Sequence, residues 1–72
     1  MNQYRLAVEE MAIDGTGVSL GRCSRSTVYR WAKECNEILE QDKAGWRVKP
    51  NYKETCLDII PADQLKTKKK GT

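Results

Sequence analysis

The sequence has no histidine and no phenylalanine, only three cysteines, and no apolar run longer than three residues, as at Met11-Ala12-Ile13. Each lack excludes something. Runs this short leave no room for a membrane span of ~20 apolar residues. The opening Met1-Asn2-Gln3, with Arg5, Glu9 and Glu10 close behind, does not read as a secretory signal, so the cytoplasm is the expected location. Cys23, Cys35 and Cys56 are odd in number and widely spaced, without a Cys-x-x-Cys pair and without a His to complete a zinc site. Neither a disulfide framework nor a bound metal is expected from them. The lack of His also removes the commonest general base, and no Gly-x-Ser-x-Gly, P-loop or Gly-x-Gly-x-x-Gly pattern is present. The chain is not expected to be an enzyme or to need a cofactor.

What remains is a chain of 72 residues, 39% hydrophobic and 32% charged, which suffices for one small domain near the lower size limit for a self-supporting core. The net charge of +3 is modest, but it is laid out in blocks. Arg22, Arg25, Arg30 and Lys33 form the first basic block, Lys43, Arg47, Lys49 and Lys53 the second, and Lys66, Lys68, Lys69 and Lys70 the third. Acidic segments separate them, with Glu34, Glu37, Glu40 and Asp42 between the first two and Glu54, Asp58 and Asp63 before the last. Such segregation suits a protein that opposes phosphate in several places while staying near neutral overall. It also suits any small, unevenly charged surface, so the position of the blocks in the secondary structure has to decide.

Tyr4, Ala7, Val8 and Met11 recur at helical spacing and predict a helix from about Gln3 to Asp14, ended by Gly15 and Gly17. Val28, Trp31, Ala32, Cys35, Ile38 and Leu39 make a stronger stripe. They predict a second helix from about Arg25 to Glu40–Asp42, with Ser24 or Ser26 as its N-cap. Trp46-Arg47-Val48-Lys49 alternates as a short strand does and should break at Pro50 and Asn51, whereas residues 52–60 fit either a second strand or a helical turn. Cys35, Val28 and Trp31 read as core residues, and Cys23 and Cys56 as incidental.

Opposite its apolar stripe the second helix carries Arg25, Ser26, Tyr29, Arg30 and Lys33 in its first half and Asn36, Glu37 and Glu40 in its second. Helix stability alone would choose the reverse, because the N-terminal end carries partial positive charge, and three cations there cost a few tenths of a kcal/mol each, roughly. An anionic partner offsets that cost. Arg reaches phosphate or guanine bidentately, and Ser24, Ser26, Thr27 and Tyr29 add hydroxyl donors. Tyr29 fits a phosphate or base contact as well as a packing role at the rim. Thr27 fits reinforcement of the cap, or a hydroxyl bonded to its own helix. Arg22 is either a backbone contact or a loop charge.

The run Leu20-Gly21-Arg22-Cys23-Ser24-Arg25-Ser26-Thr27-Val28-Tyr29-Arg30-Trp31 resembles the turn and recognition helix of bacterial helix-turn-helix proteins. Ser24-x-x-Thr27-Val28-x-Arg30-Trp31-x-x-Glu34 is similar to the corresponding helix of the small winged-helix excisionases of lambdoid phages, relatives of the MerR-type DNA-binding fold. Gly45 before Trp46-Arg47-Val48 fits the wing turn of that family. The resemblance implies a single winged helix-turn-helix-like domain, mainly α with a small β wing, over residues 1–62, with a basic tail at 63–72 expected to be disordered. It implies double-stranded DNA as partner, with the 25–40 helix in the major groove, and a role in directing recombination for a phage or mobile element. The DNA-binding residues so expected are Arg22, Ser24, Arg25, Ser26, Thr27, Tyr29, Arg30 and Lys33, with Lys43, Arg47 and Lys49 on the wing. A recombinase, or a second copy on DNA, would be a further partner. A transcriptional repressor, a transposase-type regulator and a protein-interaction module are the alternatives.

Overall fold

The computed structural model describes residues 2–64. Helix α1 spans Gln3–Asp14. It starts where the Asn2 side chain accepts a hydrogen bond from the Tyr4 amide at 2.8 Å, and stops where Gly15 turns left-handed at φ 73° and donates its N–H to the Met11 carbonyl. Helix α2 spans Arg25–Gln41, capped by Ser24, whose hydroxyl accepts from the Thr27 amide. Both helices lie where periodicity and caps predict them.

Between the helices the chain forms a short strand, β1, at Val18–Ser19. It continues into β2 at Trp46–Asn51 and β3 at Cys56–Pro61 after α2, giving an antiparallel sheet in the order β1-β3-β2. Val18 pairs with Leu57 on one side of β3 and Pro50 with the same residue on the other. Gly17 lies so close to β3 that a Cβ on it would collide with the Leu57 carbonyl, which explains the glycine there better than any helix-ending role. The domain is therefore mixed α and β, with a three-stranded sheet in place of the small hairpin expected on a mainly helical body. Residues 62–64 begin a further helical turn. The remainder of the tail expected to be disordered lies outside the described residues.

The strand expected to break at Pro50 runs on to Asn51. Strand β2 is at the sheet edge, and hydrogen bonding at Val48 shows why proline fits. The Val48 amide donates to Asn36 Oδ1 at 2.8 Å and its carbonyl accepts from Asn36 Nδ2 at 3.0 Å, so the backbone polar groups of Val48 face away from β3. Pro50, two residues on, has the same orientation, and its missing N–H falls on the outer edge, where no ladder bond is lost. Asn36, on α2, thus closes the open edge at Val48 with two hydrogen bonds. Arg47 does the same one step earlier: its guanidinium turns back and donates to the carbonyls of Ala44 and Trp46 at 2.8 and 2.7 Å. An edge covered this way is a poor template for pairing with another chain.

The core is Val8 and Met11 from α1, Val28, Ala32, Cys35 and Leu39 from α2, Val48 from β2 and Leu57 from β3. Trp31 is half-buried and packs edge-to-face on Tyr4, with ring centroids 4.8 Å apart, which joins the two helices. Burial, and then the charge of Glu34, push the Cys35 thiol up to about 11, in keeping with its reading as a core residue. At the end of α2, Lys43 adopts a left-handed conformation at φ 57°. Its amide donates to the Glu40 carbonyl and that of Ala44 to the Leu39 carbonyl, the paired bonds of a Schellman ending with lysine where glycine is usual.

Candidate nucleic-acid interface

Arg25, Ser26, Tyr29, Arg30 and Lys33 are spaced so that a single helix sets them on one face. The buried stripe of Val28, Ala32 and Cys35 turns that face outward. Together with Glu34 and Tyr52 these five residues line a shallow open groove of about 630 Å³. Tyr29 is 57% exposed, far more than a rim packing role needs. Among the described residues no carboxylate lies within ion-pair distance of Arg22, Arg25 or Arg30, and Lys33 has only a long, exposed pair with Glu37 at 3.8 Å. Pairs of that kind contribute little. The groove thus concentrates positive charge, hydroxyls and aromatic surface, the combination that recognises phosphate and base edges.

The other expected contacts divide. Arg22 is exposed in the loop just before the helix. Ser24 and Thr27 share a hydrogen bond between their hydroxyls at 3.2 Å, and both serve the start of α2, the cap role weighed for Thr27. The three residues expected on the wing do not join the groove. Lys43 ends the 17-residue α2, about 25 Å along the axis from Arg25. The Arg47 guanidinium is occupied by two backbone carbonyls. Lys49, next to inward-facing Val48, points to the opposite face of the sheet and stands across from Asp58. Gly45 joins α2 to β2 and is not at the tip of the hairpin.

No family model matches the chain, and no curated protein or solved structure matches it either.

The hairpin reaches that groove through its tip. Residues 52–55 form the reversal between β2 and β3, closed where Asn51 Oδ1 accepts from the Glu54 amide at 3.0 Å and where Thr55 turns left-handed at φ 49°. There Tyr52 lies under the guanidinium of Arg25, with Cζ 5.0 Å from the ring centroid. Lys53 lines a small depression with the same two residues. Tyr52 and Lys53, the latter in the adjoining depression, and Glu34 within the groove are thus absent from the set expected from sequence. The signal for the first two was the pair of apolar alternations flanking residues 52–55, legible once 56–61 is taken as a strand. For Glu34 it was the helical spacing from Arg30.

The Cys56 thiol is held above its ordinary range by loss of hydration and then by Asp58, whose carboxylate lies 3.7 Å from Sγ, so thiolate is disfavoured. Among the described residues no cluster of acidic, Cys or His side chains could hold a metal, and no helix is long and apolar enough to cross a membrane.

Proposed function

We propose that this protein binds double-stranded DNA sequence-specifically, with α2 entering the major groove and the β2–β3 hairpin acting as a wing beside it. One observation carries the reading: the outward face of the first half of α2 holds Arg25, Arg30 and Lys33 with no strong internal counter-charge among the described residues, next to an aromatic and basic hairpin tip. Exposed cations gathered at the end of a helix that disfavours them are stabilised by an anionic partner. Arg30, with neither ring nor carboxylate engaging it among the described residues, is the residue for base readout. The winged helix-turn-helix reading follows from a recognition helix followed by a hairpin, and the resemblance of the 20–34 segment to excisionases supports a cytoplasmic role in phage or mobile-element recombination.

A protein-interaction module is the second reading. The outer face of α1 favours it, where Leu6 and Ile13 are 47% and 83% exposed and Glu9 and Glu10 stand beside them. Titration of the full chain with mixed-sequence duplex separates the two. If Arg25, Lys33 and Lys53 each neutralise a phosphate, affinity drops roughly fortyfold between about 50 and 200 mM salt. No binding at the lower salt would overturn the DNA reading in favour of the interaction module. Footprinting on the element's own DNA then separates excision, which protects an attachment-site arm, from repression, which protects a promoter.

A further inference from the structure

The Arg25–Tyr52 contact joins the start of α2 to the hairpin tip, apart from the core and from the Asn36–Val48 hydrogen bonds that also tie α2 to β2. Arg25 is the first residue of α2, and Tyr52 is the first residue of the hairpin reversal. A guanidinium 5.0 Å above a tyrosine ring lies within the range of cation–π attraction. It is directed sideways, toward the hairpin, and so toward Lys53, which lines the same depression. Arg30, one turn and a half further along α2, has no such tether among the described residues. The two arginines of the groove are therefore in different situations, although the sequence presents them as equivalents.

We infer that Tyr52 is a positioning residue: it holds Arg25 beside Lys53 so that the two cations grip the DNA backbone as a pair bridging helix and hairpin, and leaves base readout to Arg30. The inference rests on the DNA-binding reading and assigns roles within it. A backbone grip adds affinity on every sequence alike, whereas base readout discriminates between sequences. Tyr52 also gives the hairpin tip a fixed place relative to α2, so a single contact sets the spacing at which helix and wing meet the duplex.

The test uses the full chain as wild type, Tyr52→Phe, Tyr52→Ala, Arg25→Ala and the Arg25→Ala/Tyr52→Ala double variant. Each is titrated with a mixed-sequence duplex and with a duplex selected from a random pool by the wild type, and each melting temperature is measured so that titrations are run well below it. Tyr52→Ala is expected to weaken binding to both duplexes by the same factor, about twofold to fivefold. Tyr52→Phe, which keeps the ring, should bind as the wild type does, and removing Tyr52 should have almost no effect once Arg25 is gone. The inference is overturned if Tyr52→Ala binds normally, if its loss adds in full to that of Arg25→Ala, or if Tyr52→Phe is as weak as Tyr52→Ala. In each of those cases the wild type still binds DNA and the wider reading stands. A wild type that binds neither mixed duplex at low salt nor any member of the pool removes both.

Discussion

The two halves of α2 are built from similar proportions of polar residues and use them in opposite ways. From Glu34 onward three side chains have partners within the protein. Asn36 closes the edge of β2, Glu37 meets Lys33, and Asp42 at the C-cap pairs with Arg5 of α1 at 3.0 Å. From Arg25 to Lys33, among the described residues, the polar side chains engage only in the cap, the lateral contact with Tyr52 and the long, exposed Lys33–Glu37 pair. The second half anchors the helix to the sheet, and this lets the first half carry unneutralised charge at the end where a helix tolerates it least. A charged surface is informative by what it leaves unpaired more than by its total.

The contrast between the two halves of α2 is largest at Asn36, which is anchored, and Arg30, which among the described residues is not. Asn36→Ala leaves both the amide and the carbonyl of Val48 without their partner and should destabilise the fold by about 2–3 kcal/mol, read as a lower melting temperature, while duplex affinity measured well below that temperature stays unchanged. Arg30→Ala should do the converse. Its melting temperature should match that of the wild type, and its affinity for the selected duplex should drop by ~1–3 kcal/mol with a smaller loss on mixed sequence. Equal losses on both would remove Arg30 from base readout.

A milder test is Lys43→Gly. It relieves a left-handed lysine at the end of α2 and should stabilise by about 1 kcal/mol, with affinity for DNA unaltered because Lys43 lies a full helix length from the groove. A clear drop in affinity would return Lys43 to the interface. The smallest expected effect is at Glu34, the one carboxylate lining the groove. Glu34→Gln should strengthen binding to mixed-sequence duplex by roughly 0.2–1 kcal/mol while narrowing the gap between selected and mixed duplexes, since an acid set among cations repels phosphate generally.

Much of this was legible in the sequence for a physical reason. Asn2, Gly15 and Ser24 act on backbone groups only a few residues away, so both helices begin and end where local chemistry says. The face formed by Arg25, Ser26, Tyr29, Arg30 and Lys33 follows from helical spacing alone. Two of the misplacements involve partners distant in the chain. Val18–Ser19 is extended because β3 offers it a ladder, and Pro50 stays in β2 because that strand is at an edge. Arg47 and Lys49, expected as wing contacts, are placed by local geometry: the Arg47 guanidinium bonds carbonyls one and three residues away, and strand alternation turns Lys49 to the far face.

The two helices, their buried stripes and the cationic face of α2 are written in the chain locally, because a helix fixes the relative positions of its own side chains within a few residues. Which part of the hairpin stands beside that face is set by long-range packing. Strand register and the point of chain reversal set this, and both depend on pairing across the sheet and on the fit of Asn36 to the edge of β2. The second basic block, uniform along the chain, is divided by those interactions into Lys53 at the groove and Lys43, Arg47 and Lys49 away from it.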